Sequence, residues 1–519
     1  MSNVFAGDYH IISGRINDLA WDGESQRIIA VGDGRERFGH CITADSGNSV
    51  GEVSGHSSII NTVSIRQQRP LRAATGSDDS SLVFMHGAPF KFNTKLGGLH
   101  KGYLYGVGFS PDGNHLVSVG ADRRIQLYDG KTGDTVKQIA EGEHKGSIFA
   151  VSWAADSKRF VTASADQTVK IWDVEAGKAV QSWKFGGDNV SIADHQVGVV
   201  WPAGRSDGLV VSLNLAGDLN YLVEGTSQPT KIVQGHGKAI TALGSSIDGG
   251  NQTLWTGSFE GRVCSWDVGT GVGTAVEGQT HTNQVTAWTT KSSRAYSVGW
   301  DDTLRIVDTP AKTFVGEAAK LSAQPKGVTS SGDRIYIATE IGIDIFSKDS
   351  LVNTVPTNSP PTSISTNGSL VAVGDHKSVV TIYNVSGNSL SLSHDIHNSS
   401  GQISALAFSP SGTYLAIGGS SGKIQVYDTK TWLLKTDRWA AHTARVTSIA
   451  WNESETGAVS GGLDTNVFVW SLKNPGKRVK ALNAHKDGVV GVAWVDGGKK
   501  VASAGGDAAV KIWEVKGLE

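Results

Sequence analysis

The sequence predicts an all-β chain folded as two β-propellers, the first an incomplete arc of about five blades and the second a ring of seven. Three observations carry that expectation. A histidine leading into an apolar strand recurs at His56, His100, His144, His236, His281, His442 and His485. Close neighbours in that series lie 43 to 45 residues apart, and the gaps of 92 and 161 residues hold two and four units. Within a unit, short runs alternate apolar and polar side chains between Gly, Asp and Ser turns, the period-two signature of half-buried strands. The chain also carries 65 Gly and 15 Trp against 12 Pro, which suits many short strands joined by tight turns and argues against long helices.

In chain order, blade one begins near Gly14, and residues 4–12 ahead of it read as a strand-like piece with no blade of its own. Its second hairpin, GDGRERFGH, inserts Arg35, Glu36, Arg37 and Phe38 where other units have a short turn. Charges flanking an aromatic are common at binding surfaces, a solvated loop being the plainer reading. Blade two starts at His56, and in its turn GSDDSS the register gives Asp79 to the interior and leaves Asp78 facing outward. It ends in HGAPFKFNTKL, where Phe90 and Phe92 alternate with Lys91; one ring packing in the blade and the other exposed would mark a contact site.

Blade three follows from His100, and blade four, from His144 through SIFAVSWAADSKRFVTASADQTVKIWDVEAGKAVQSWKF, is the most regular. Blade five starts near Asn189 and runs into the linker-like GTSQPT, so the domains are expected at 1–235 and 236–519. Seven more units begin at His236, His281, near Gln324, Pro361 and Gly401, and at His442 and His485, the last ending on its third strand in KIWEVKGLE. Twelve blades exceed the four to eight of one ring, hence the division. Wedges cut for a seven-fold ring do not close a ring of five. The strand at 16–21 should therefore lack contact with the blade-five strands at 199–213.

The blade pattern resembles the WD-repeat family, and the resemblance implies a buried polar relay in each complete blade. In blade four it would join His144, Ser164, Asp166 and Trp172. An Asp accepts from imidazole and turn amides, while an indole N–H donates and its ring fills the space between blades. Parts recur as Asp79, Asp122, Ser258 with Trp266, Asp464 with Trp470, and Asp507 with Trp513. Glu260 stands at an Asp position, and Gly462 and Gly505 at Ser positions, as departures.

Several function classes are disfavoured. With 47 Lys and Arg against 49 Asp and Glu there is no basic field for nucleic acid or an anionic membrane. No run approaches the roughly 20 apolar residues of a membrane span, and a soluble cytoplasmic protein is expected. Cys41 and Cys264 are far apart and outline neither a disulfide framework nor a zinc site. The repeated histidines fall in different blades, so neither a metal centre nor a cofactor is expected. The stretch GGSSG at 418–422 matches a nucleophile elbow around Ser420, which would make the chain a hydrolase. It falls in a hairpin turn, and the chain is expected not to be an enzyme.

The stretches GDGRERFGH, GSDDSSLVFMHGAPFKF, DHQVGVVW, HTNQV, SVGWDDTLRIV, HTARVTSIAW and GGDAAVKIWEV resemble the actin-interacting protein 1 family from about residue 14 onward. That family has double seven-bladed propellers that act with cofilin on actin filaments. The resemblance implies an actin-binding protein of the cytoplasm and cytoskeleton, with actin filaments and cofilin/ADF as partners and filament disassembly as the outcome. It places the contact residues at Glu36, Asp78, Lys91 and Phe92, and implies that about two N-terminal blades are missing here. A general scaffold or substrate receptor is the alternative, since fold does not fix function.

Overall fold

The computed structural model describes residues 9–35, 37–139, 142–187, 191–205, 207–248, 250–291, 293–397 and 401–517. Among these residues twelve antiparallel sheets follow one another, each with its strands in sequence order; eleven have four strands and the last has three. The only helical segment among the described residues is a single turn at Ile192–Asp194. Residues 9–12 of the expected leading strand form no strand, and residues 4–8 lie outside the described residues.

Blade four shows why the sequence folds this way. Its strands are Ile148–Trp153, Arg159–Ser164, Thr168–Asp173 and Lys178–Lys184. Phe160, Val161 and Ala163 are fully buried although successive side chains point to opposite faces. Both faces of this sheet are covered, because blade four is packed between blades three and five. The core is accordingly divided among the blade junctions. One cluster joins Val117, Val119 and Leu127 of blade three to Ile148, Trp153 and Trp172 of blade four.

The relay is present, with one correction. In blade four His144 Nδ1 lies 2.9 Å from Asp166, and His144 Nε2 lies 2.8 Å from the hydroxyl of Thr162, not Ser164. The Trp172 indole N–H donates to that same hydroxyl at 2.7 Å. Trp172 stands opposite Phe160 across the strand pair, which brings its indole to Thr162, while Ser164 sits at the strand end. There Ser164 accepts from the Asp166 amide and donates to Gly146 O, so it braces the turn. Thr256, Ser460 and Ser503 play the Thr162 part for Trp266, Trp470 and Trp513. The glycines at 462 and 505 are therefore not relay losses. A consistent proton order runs from indole N–H to hydroxyl oxygen, hydroxyl O–H to Nε2, and Nδ1–H to carboxylate, which requires a neutral imidazole. Thr162→Val leaves both the indole N–H and Nε2 unpaired, with an expected cost of about 2 kcal/mol. Ser164→Ala should cost about half that; urea unfolding followed by tryptophan fluorescence would reverse the assignment if the order were opposite.

The chain divides into two compact units at Ile232/Val233. In the second unit blades six and twelve meet. Leu243 and Leu254 pack with Ala493, Val495 and Ala502. The Gln252 amide donates to Trp494 O at 2.8 Å while its oxygen accepts from the Asp496 N–H at 3.0 Å. Seven blades thus close a ring. In the first unit, among the described residues, the strand Arg15–Trp21 makes no comparable packing with blade five. Ile16, Leu19 and Trp21 on one side, and Val200, Leu213 and Leu215 on the other, stay exposed. This unit is an open arc of five blades.

Neighbouring blades of the ring are also tied along their innermost strands. Thr241, Thr362, Ser404 and Thr447 each donate a hydroxyl to the carbonyl of Val285, Ile403, Val446 or Val489 on the following blade, at 2.6 to 2.7 Å. Asn17 and Asn61 do the same through their amides in the first unit, to Ile60 O and Leu104 O.

Candidate functional site

Blade two supplies three of the four expected contact residues; the fourth, Glu36, lies outside the described residues. Beside it Arg35 is exposed, whereas Phe38 packs against the cluster that blades one and two share and is not part of an exposed loop. The insertion therefore anchors its aromatic inward and offers charge outward.

The two adjacent acids have different environments. Asp79 accepts from the Ser57 N–H at 3.0 Å and from Lys95 Nζ at 2.8 Å, and lies 3.2 Å from His56 Nδ1. His56 Nε2 in turn lies 2.9 Å from the Thr75 hydroxyl. Burial alone would raise the Asp79 carboxyl; the Lys95, Ser81 and Ser57 hydrogen bonds and the imidazole outweigh it and hold the group far below the usual carboxylate range. Asp78 is half-buried and makes one side-chain bond, from Asn61 Nδ2 at 2.7 Å. Its backbone N–H donates to Ile59 O, which fixes the turn over the entrance to the inner strand.

The other edge of the blade carries Lys91 and Phe92, both exposed, at the start of the outer strand Lys91–Leu96. Phe90 is 2% exposed and sits ahead of that strand in a tight turn, at φ 63°, its N–H donating to Gly87 O. Phe92 is 47% exposed. Its ring lies over Gly55, where an added Cβ would come within 2.6 Å of it. The register pairs Lys91 with His86 and Leu96 with Leu82, so Asp78 and Lys91 stand at opposite ends of blade two. At about 3.4 Å per residue that separation is roughly 17 Å. They belong to one blade without forming one cluster, which suits an extended protein contact better than a small-molecule site.

The chemistry of catalysis is not assembled at the serine motif. Ser420 stands in a turn between the strands Tyr414–Gly419 and Lys423–Asp428, where an elbow needs a helix. The nearby His442 is committed to Asp464 and Ser460. Among the described residues no group of His, Cys, Asp and Glu could hold a metal ion, and no helix is long and apolar enough to cross a membrane.

One regularity escaped the sequence reading. Phe259, Trp300 and Leu463 hold the Asp78 position in blades six, seven and eleven, each N–H donating to the residue that leads into the inner strand. All three are exposed. Aligning the blades on the strand-ending Ser or Gly would have revealed an apolar residue recurring at one turn position.

Repeated four-stranded sheets, several of them holding a His–Asp–hydroxyl–indole relay within the blade, define a WD-repeat propeller protein. The WD domain, G-beta repeat model matches residues 95–129, 136–173 and 476–514, and the Vps8 beta-propeller model matches residues 356–472. The chain is 44% identical to an uncharacterized WD repeat-containing protein of Schizosaccharomyces pombe, over 84% of its own length and 71% of the relative's. It is 35% identical to WD repeat-containing protein 1 of Gallus gallus, over 85% of this chain and 72% of that one. To actin-interacting protein 1 of Caenorhabditis elegans it is 36% identical, over 84% and 72%. The chain belongs to the family of WD repeat-containing protein 1 and actin-interacting protein 1.

Proposed function

We propose that this chain binds actin filaments and promotes their cofilin-dependent disassembly through protein–protein contacts, without catalysing a reaction. The carrying observation is the identity with proteins named for actin interaction over about five-sixths of the chain. The exposed Lys91–Phe92 edge of blade two supports it: a cation beside a large exposed ring has the composition of an interface anchor. Cofilin/ADF is the second partner, the cytoplasmic actin cytoskeleton is the location, and 1–235 and 236–519 are the working domains, with the Glu36 and Asp78 turns contributing charge.

Co-sedimentation with filamentous actin, with and without cofilin, tests this reading. Phe92→Ala should weaken cofilin-dependent pelleting about tenfold, the loss of one interface anchor, while the melting temperature changes little. Lys91→Glu should act in the same direction and more strongly at low salt. Pelleting that is absent, or indifferent to cofilin and to both substitutions, would leave a general scaffold as the better description.

A further inference from the structure

The inner strands of the second unit surround a cavity of about 870 Å3, to which every one of its seven blades contributes. That is within the size range of ligand sites, roughly 300–1,000 Å3. Its wall and mouth carry three features that the fold does not use. Trp300 and Ile341 line it while remaining 40% and 56% exposed, and Leu463 and Phe259, at 49% and 56%, occupy the same kind of turn on other blades. Phe259, Trp300 and Leu463 are placed by one structural rule, and Ile341 directly follows Glu340, which holds that position in blade eight; exposed apolar side chains so placed differ from the scattered kind normal on a surface.

The second feature is charge. On the cavity wall Lys326 is already paired with Glu340 at 2.9 Å. Arg445, also on the wall and exposed, bonds only the neutral Gln402 side chain, at 3.1 Å, and has no carboxylate partner among the described residues. The third is an incomplete hydrogen bond. Thr286 holds the inner-strand position whose counterparts Thr241, Thr362, Ser404 and Thr447 donate across to the next blade, yet its hydroxyl has no protein partner.

We propose that this channel mouth binds a linear peptide segment of a partner protein whose anchor joins an Asp or Glu to a neighbouring large apolar side chain. The carboxylate pairs with Arg445 in the fork geometry that guanidinium favours. The apolar side chain covers Trp300 and Ile341. The charge complement selects an acidic segment over a basic one, and the ring of turns selects a narrow chain over a flat surface. The site is built from second-unit residues and does not depend on the actin reading.

The test is selection of a phage-displayed random 12-residue peptide library on the intact chain, followed by fluorescence anisotropy with the enriched peptides. Enriched sequences should share an acidic residue next to Leu, Ile, Phe or Trp. Their affinity should fall at least tenfold on Arg445→Glu and on Ile341→Asp, and stay unchanged on Phe92→Ala. Trp300→Asp, on the wall of the same cavity and on a blade that carries neither Arg445 nor Ile341, serves if either variant melts early. Enrichment of basic peptides, undiminished binding to these variants, or no enrichment at all would overturn the proposal.

Discussion

Asp79→Ala is expected to destabilise the first unit by about 3 kcal/mol, whereas Asp78→Ala should cost less than about 1 kcal/mol. The difference follows from what each carboxylate leaves behind. Without Asp79, His56 Nδ1, the Ser57 N–H, the Ser81 hydroxyl and Lys95 Nζ all lose an acceptor, and two of them, on His56 and Ser81, are shielded from water. Without Asp78 only the Asn61 amide loses a bond, and it retains Leu104 O at 3.0 Å. Urea denaturation of both variants decides the matter. If Asp78→Ala were the more damaging substitution, the division of this acid pair into one structural and one outward-facing member would be wrong.

Acid should unfold this protein in two overlapping stages that begin close to neutrality. Burial pushes His56, His236, His442 and His485 below the ordinary histidine value, His236 down to about 3. Below a pH of about 6.5 the unfolded chain takes up protons that these folded imidazoles refuse, so stability falls as pH drops through that window. Each such group contributes at most about 1.4 kcal/mol per pH unit. For His236 the window extends to about 3, because Glu260 replaces the usual Asp and leaves Nδ1 without a partner.

The relay carboxylates Asp122, Asp464 and Asp507 add to the loss below about pH 4. Burial alone would raise them, but hydrogen bonds from the histidines and the following backbone amides hold them below the carboxylate range. Their folded forms also bind fewer protons than the unfolded chain, so the sign is the same. Thermal melting at constant ionic strength should show a midpoint falling steadily from pH 7 to pH 5. A flat profile over that interval would rule out a relay that needs neutral imidazole.

The histidine period located seven of the twelve blades, because an entry histidine reaches the carboxylate of its own sheet across a fixed loop, in every such blade but that of His236; the strand and turn pattern located the other five. The same logic gave Asp79 to the relay, but Asp78, read as facing outward, is half-buried against the Asn61 amide. It failed for the relay hydroxyl. Thr162 and Ser164 share one side of their strand, and the choice between them depends on where Trp172 crosses, which is a matter of strand register and not of spacing. The proposed contact residues were legible as an unusual insertion and an exposed-looking aromatic, but not as a geometry. Phe38 turned inward because the shared cluster of blades one and two had room for it. Asp78 and Lys91 are 13 residues apart in the chain, and a hairpin carries them to opposite ends of the sheet. The apolar turn residues Phe259, Trp300 and Leu463 share one position that only the backbone hydrogen bonds reveal.

The junction between blades six and twelve has a consequence for how the second unit opens over time. Gln252 offers a side-chain amide where a strand would offer its backbone, holding Trp494 O and Asp496 N with one donor and one acceptor. Such a latch can let go by rotation about side-chain bonds, without peeling a strand from its sheet. Opening at this seam leaves the backbone hydrogen bonds inside either blade intact. Amide hydrogens on the facing inner strands, Ile240–Asp248 and Val489–Val495, are the ones whose exchange with solvent would report its rhythm.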